Sequence, residues 1–152
     1  FWHERRFSSS LAKLKNNSVG LKSSNPSMLV VNSSKGIQFL PAEDSDETID
    51  PHVWVSPKNA KIMVENIYEG LVQIDPSNKD YYQKNRDEYL AKLDELDQNT
   101  TKLLENRTKP ILIYHPAFAY YARDYNLTII GAIVNDEEPS PQRIAKMVDV
   151  AH

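Results

Sequence analysis

Two long stretches of the chain repeat apolar residues at the spacing of a helix. The first stripe consists of Ala60, Ile62, Met63, Ile67, Leu71 and Ile74. Its period is close to 3.6 residues, which is typical of an amphipathic helix. Ser56-Pro57 stands directly before it, and serine at the N-cap followed by proline at the first helical position is a strong helix start. The pattern therefore predicts a helix that begins at Pro57.

A second and longer pattern begins at Asp75-Pro76, which repeats the cap-and-proline signal. Its positions are Tyr82, Tyr89, Leu93, Leu96, Thr100 and Leu103. They are spaced by sevens, fours and threes over about seven turns of helix. Because such a helix exceeds the usual length in globular proteins, we expect a strut between two lobes.

Short apolar runs at residues 28–31, 111–114 and 127–134 predict buried strands. A helix is predicted for residues 117–125, and Ser140-Pro141 starts a last one. The order strand, helix, strand, helix after residue 110 predicts an α/β lobe.

Composition and charge exclude some classes of partner. The 152 residues are 40% hydrophobic and 26% charged, as in globular proteins. A net charge of -3 gives no reason to expect nucleic acid or an anionic membrane as partner. No apolar run approaches the roughly 20 residues that cross a bilayer. The chain starts at Phe1 and stops within a helical pattern, so we expect it to be a segment of a longer protein.

An amphipathic helix is predicted for residues 4–17.

The charged run at residues 43–50 holds five acids and no base. A solvated loop is the simpler interpretation of such a block. The alternative is a segment that attracts cations beside a metal site, since His52 follows it directly.

Two histidines are candidate metal ligands. His52 lies between two prolines, close to Trp54 and directly before the first long helix. His115 follows a predicted strand, and ligands of open parallel sheets gather at the carboxyl ends of strands. Neutral imidazole is a common zinc ligand. The two histidines form no local metal motif, so from spacing alone a structural role for each remains equally open. Trp54 either shields a metal or anchors its loop to the core.

A family resemblance rests on several segments in the same order. The segment Asp50-Pro-His-Val-Trp-Val-Ser-Pro-Lys-Asn-Ala60 resembles the "DPHxW(L/V)(S/D)PxNA" segment of the metal-binding solute-binding proteins of zinc/manganese ABC importers. Residues 115–125 resemble their "HxAFxYFaxxY" segment, and Glu138-Pro-Ser-Pro141 matches their "EPSP" helix start. Ser34-Lys-Gly-Ile37 is similar to their "sxGI" turn. The similarity covers essentially the whole chain.

The resemblance implies an α/β fold with two Rossmann-like lobes joined by one long rigid helix, here truncated at both ends. Residues 1–75 would be the latter part of the N-terminal lobe, residues 76–108 the linking helix, and residues 109–152 the first part of the C-terminal lobe. His52 and His115 would be metal ligands from opposite lobes. Relatives usually add a histidine upstream and an acid downstream; His3 does not fit the upstream motif.

The function implied is capture of a divalent transition metal outside the cytoplasm, in the periplasm or at the cell surface, and delivery to an ABC permease. The full protein would be secreted or lipid-anchored, and not an enzyme. Zn²⁺ is favoured because relatives specialised for manganese often carry glutamate where His115 stands, and nitrogen ligands suit zinc. Mn²⁺ remains open, because the acidic loop lacks the histidines of many zinc-specific relatives.

Two other functions compete with this one. A surface adhesin on the same fold would hold the metal as a structural ion. A zinc-dependent hydrolase would keep an open coordination position at the metal. Neither His52 nor His115 stands in an HExxH pattern, and no nucleophile motif is present, so the hydrolase is the weaker alternative.

Overall fold

The computed structural model describes residues 23–42, 49–115, 117–131 and 140–151. Within these ranges the helices and strands, in chain order, are α1 (Pro57–Ile74), α2 (Lys79–Leu104), β1 (Ile111–Ile113), α3 (Ala119–Tyr125), β2 (Ile129–Gly131) and α4 (Pro141–Ala151). Short 3-10 helices at Val53–Val55 and Pro76–Asn78 lead into α1 and α2. The predicted α/β class is confirmed. The predictions for residues 4–17, 43–48 and 132–139 lie outside the described residues.

Helix α1 begins as its sequence predicts. The Ser56 side chain accepts a hydrogen bond from the backbone N–H of Asn59 at 3.1 Å, and Pro57 occupies the first turn. At the other end, the backbone N–H of Asp75 bonds to the carbonyl of Leu71 at 2.9 Å. Near that end the buried Gly70 allows Val31 to approach the helix backbone closely.

Helix α2 confirms the predicted long helix but presents a different face to α1. Its 26 residues span about 39 Å at roughly 1.5 Å per residue. Leu93 and Thr100 are buried, whereas Tyr89, Leu96 and Leu103 are 51%, 51% and 75% exposed. At about 100° per residue, these three positions are turned about 40–80° to one side of Leu93. These three side chains therefore remain at least half exposed on a helix whose predicted length is confirmed.

The prediction of buried strands at residues 111–114 and 127–134 is confirmed in part. Strands β1 and β2 are parallel neighbours, with Ile111 opposite Ile129. Ile111 and Leu112 are nevertheless 38% and 37% exposed, so the prediction of a buried strand was wrong for β1. In the described ranges the sheet has these two strands only, which leaves its faces partly open to solvent.

Residues 28–31 were predicted to be a buried strand, and this prediction was also wrong. The structure assigns no strand there, and Val30 and Val31 are 48% and 41% exposed. A strand needs a neighbouring backbone for its hydrogen bonds. Among the described residues none pairs with this run.

A small apolar core lies beneath the first histidine segment. Ile37, Val53 and Tyr120 are buried against one another, and Leu40 and Met63 pack on them. The core thus joins the turn before the acidic run, the 3-10 helix and α3. None of the helices in the described ranges is long and apolar enough to cross a membrane. The division into two lobes and a linking helix stays a prediction.

Candidate metal centre

His52 is held by the residues on either side of it. The buried Val53 anchors the 3-10 helix that follows, and Asp50 binds the histidine from the preceding side. The Oδ1 atom of Asp50 accepts hydrogen bonds from the His52 backbone N–H at 2.8 Å and from ring Nδ1 at 2.7 Å. The Asp50 side chain is only 7% exposed, so water screens its electrostatic interaction with His52 only weakly. Sequence analysis missed this role of Asp50, although an acid two positions before a candidate ligand is a usable signal.

His115 reaches the same place from the other part of the chain. It lies two residues beyond the end of β1, at the carboxyl end of the strand as predicted. Its Nε2 atom lies 3.3 Å from Nε2 of His52, although 63 positions separate the two residues. The ring centroids are 5.1 Å apart and the ring planes cross at 81°.

The contact with Asp50 bears on the tautomer of the neutral His52 ring. A carboxylate only accepts hydrogen bonds, so contact with Asp50 favours the tautomer with hydrogen on Nδ1. The lone pair of Nε2 is then available on the side where His115 lies. A carboxylate that orients a histidine in this way commonly accompanies metal-binding imidazoles.

The separation of the two nitrogens matches a shared metal ion. Zinc–nitrogen bonds of about 2.0–2.1 Å in a tetrahedron place two ligand nitrogens about 3.3–3.4 Å apart. The observed Nε2 to Nε2 distance is 3.3 Å. Within the ranges that the structure describes, no three His, Asp or Glu side chains cluster as a fuller ligand set. The arrangement can supply two nitrogen ligands to one divalent ion.

Trp54 lies beside His52 and not in the core. Its ring centroid is 5.6 Å from that of His52, with the planes at 65°. The side chain is 52% exposed, whereas Val53 is 5% exposed and anchors the loop. The interpretation of Trp54 as the core anchor of this loop is therefore wrong. Shielding of a metal by Trp54 stays a prediction.

Helix α3 contributes polar contacts that sequence analysis also missed. The Tyr120 hydroxyl donates to the carbonyl of Asp50 at 2.6 Å, and the Ser56 hydroxyl donates to the carboxylate of Asp124. Burial raises the pKa of the Tyr120 phenol, so it remains a hydrogen-bond donor at neutral pH. The spacing of Tyr120 and Asp124, one helical turn apart and shortly after His115, was the available signal.

Comparisons with known proteins show the family of this chain. A family model described as "Zinc-uptake complex component A periplasmic" matches residues 1–152. The high-affinity zinc uptake system protein ZnuA of Bacillus subtilis (strain 168) is 38% identical over 134 residues, which are 77% of this chain and 41% of that protein. The manganese ABC transporter substrate-binding lipoprotein PsaA of Streptococcus anginosus is 30% identical over 133 residues, 84% of this chain and 43% of that protein.

Solved structures resemble the fold as well. A structure described as "Crystal structure of ZnuA" matches with a TM-score of 0.75 and 36% identity, covering 86% of this chain and 51% of that one. The chain thus spans about half the length, or less, of the relatives it matches.

Proposed function

The chain belongs to the family of periplasmic zinc-uptake component A, and from that premise we propose that it captures a divalent transition metal for import. The ion is bound by His52 and His115 and delivered to the membrane permease of an ABC importer. The protein acts as a carrier, not as an enzyme.

One observation carries this proposal. Two imidazole Nε2 atoms, from distant parts of the chain, lie at the separation expected for adjacent ligands of one tetrahedral ion. The carboxylate of Asp50 orients one of the two rings. A carboxylate bonded to the second ring nitrogen is common at metal-binding histidines.

Zn²⁺ is the proposed cargo, with Mn²⁺ as the alternative. Imidazole nitrogen suits zinc better than manganese, for which oxygen ligands are preferred. The matched relatives include a zinc uptake protein and a manganese lipoprotein. These names also support an extracytoplasmic location, in the periplasm or at the cell surface.

Helix α2 is proposed as the linking helix between two lobes. It lies in sequence between the segment with His52 and the segment with His115. If the two ligands belong to the two lobes that this helix joins, binding of the ion changes the relative orientation of those lobes. A carrier needs this coupling because a permease must be able to recognise the loaded form.

A zinc titration tests the proposal. The product of the complete gene is titrated with Zn²⁺ in competition with a chromophoric chelator, and then with Mn²⁺. Replacing both His52 and His115 with alanine should weaken zinc binding by at least a hundredfold, because two of the coordinating nitrogens are lost. The matched control is His3→Ala, whose sequence context does not fit a ligand, and it should bind as the unmodified protein does. Unchanged binding by the double variant would overturn the proposal.

A further inference from the structure

Helix α3 connects the two histidine segments through one of its faces. The helix begins four residues after His115. Between them, the Ala117 N–H donates a hydrogen bond of 2.8 Å to the His115 carbonyl. Tyr120 and Asp124 are one turn apart and lie on the same face. Both side chains contact the segment that contains His52.

Tyr120 joins two segments of backbone through a single hydroxyl. The side chain is fully buried. Its hydroxyl donates to the Asp50 carbonyl at 2.6 Å and accepts from the Leu40 N–H at 3.1 Å. The Asp50 N–H in turn donates to the Leu40 carbonyl at 2.9 Å. Tyr120 therefore holds the backbone of the residue whose carboxylate orients His52.

Asp124 makes the second connection, at the other end of α3. Its carboxylate is 6% exposed and accepts from the Ser56 hydroxyl, which is itself fully buried. The Nε atom of Arg123 donates to the same carboxylate at 2.8 Å, which compensates its charge. Because Ser56 is the N-cap of α1, this bond joins α3 to the start of that helix.

We infer that Tyr120 and Asp124 are positioning residues that set the separation of His52 and His115 before the metal arrives. The inference rests on the proposed function, since it concerns the same metal site. Neither residue touches the metal. The two hydrogen bonds fix α3 against the loop, and Ala117, just before α3, bonds to the carbonyl of His115.

The energetic reason is preorganisation. The two Nε2 atoms lie 3.3 Å apart, within hydrogen-bond range, and the contacts of α3 add to this single weak contact in holding the rings together. If the two rings already hold the geometry they have in the complex, binding the ion costs less conformational entropy. The affinity for the ion is then higher. Residues that support metal ligands from outside the coordination shell typically change affinity by about 10–100-fold.

The test compares Tyr120→Phe and Asp124→Ala in the product of the complete gene. Each variant should weaken the zinc Kd by about tenfold, the lower end of that range, because each acts through the backbone. Long-range proton–nitrogen NMR of the metal-free protein should show the His52 and His115 ring signals broadened or split, since the rings lose their fixed pose. The matched control is Tyr121→Phe, on the same helix but packed against Phe118 and Tyr125. It should keep the affinity and the ring signals of the unmodified protein.

The outcomes separate this inference from the proposed function. If the variants melt at lower temperature but keep the zinc Kd and the ring signals, the contacts serve folding alone and the inference is overturned. The same holds if nothing changes. Should Tyr120→Phe fail to fold, Asp124→Ala decides. If the unmodified protein does not bind zinc tightly, or the double histidine variant binds equally well, the proposed function itself fails.

Discussion

The Nδ1 atom of His52 lies 2.7 Å from the Oδ1 atom of Asp50. The same oxygen accepts the His52 backbone N–H at 2.8 Å, so one carboxylate holds both the ring and the backbone of the candidate ligand. Since the carboxylate cannot donate, it favours hydrogen on Nδ1 and leaves the lone pair on Nε2, the candidate ligand atom. The pair thus decides which nitrogen faces His115.

Removing this carboxylate should weaken metal binding without removing a ligand. We expect Asp50→Ala to weaken the zinc Kd by about 10–100-fold, as for other partners that orient metal-bound histidines. Asp50→Asn keeps an acceptor oxygen but loses the charge, so its zinc affinity should lie between that of Asp50→Ala and that of the unmodified protein. Competition titration measures both, and Asp149→Ala, an exposed acid on α4, is the control. Zinc affinity that is the same in Asp50→Ala as in the unmodified protein would contradict this assignment.

Asp75 should make stability depend on acid pH. Its carboxylate accepts hydrogen bonds from the side chains of Asn78, Ser77 and Tyr82 at 2.7, 2.7 and 2.8 Å. These bonds, with that from Asn78 the largest cause, lower the pKa of Asp75 to about 2. In the unfolded chain the pKa of an aspartate side chain is about 3.9.

The sign of the effect follows from this depressed pKa. The contribution of Asp75 is complete above the unfolded pKa and is lost as the pH falls from about 4 to about 2. Urea unfolding at pH 7, 4, 3 and 2 should show a smaller acid loss in Asp75→Asn than in the unmodified protein. The matched control is Asp80→Asn, an exposed acid in the first turn of α2. Equal acid losses in the unmodified protein and Asp75→Asn would refute the prediction.

Gly70 should tolerate no side chain while Val31 is present. A Cβ atom at Gly70 would lie 2.4 Å from Cγ2 of Val31, well inside contact distance. We expect Gly70→Ala to lower the free energy of unfolding by about 1–3 kcal/mol, as overpacking usually does. In a Val31→Ala background the same substitution should instead be neutral or stabilising, since alanine favours helix over glycine by about 1 kcal/mol. Urea denaturation of all four proteins gives the comparison, and a loss of equal size in both backgrounds would exclude the steric explanation.

Tyr125 should contribute one buried hydrogen bond. It is 9% exposed, and its hydroxyl donates to Oδ1 of Asp97 at 2.9 Å. Tyr125→Phe should therefore lower the free energy of unfolding by about 1 kcal/mol at pH 7. Tyr81→Phe, at a position 64% exposed, is the control and should change little.

The same tyrosine predicts an effect at alkaline pH. Burial, and then the bond to Asp97, raise the pKa of Tyr125 above its ordinary value. A group whose pKa is raised on folding stabilises the protein below the unfolded pKa, and this contribution is lost as pH rises through the folded pKa. The unmodified protein should thus lose its advantage over Tyr125→Phe above about pH 10. A constant difference between pH 7 and pH 11 would show that the phenol does not titrate with unfolding.

Local patterns in the sequence were sufficient for the helices and for the strand order. Ser56-Pro57 and Asp75-Pro76 marked the starts of the helical segments correctly, because capping involves residues only a few positions apart. The apolar runs that became β1 and β2 were recognised because short continuous runs bounded by loops are typical of parallel strands. Both histidines were proposed as candidate ligands from the sequence, one of them from its place after a strand.

Tertiary structure alone decided which side chains meet and which remain exposed. The row at Tyr89, Leu96 and Leu103 fits a helical stripe as well as Leu93 does, and only the placement of α1 selects between them. His115 approaches His52 within 3.3 Å, and α3 contacts the loop that contains His52 through Tyr120. Sequence spacing could not predict that distance, because the two histidines are 63 positions apart and the hydrogen bonds around them join residues 68 and 70 positions apart. The sequence by itself therefore determined the candidate ligands and their elements, and the packed chain determined that the two ligands face one point.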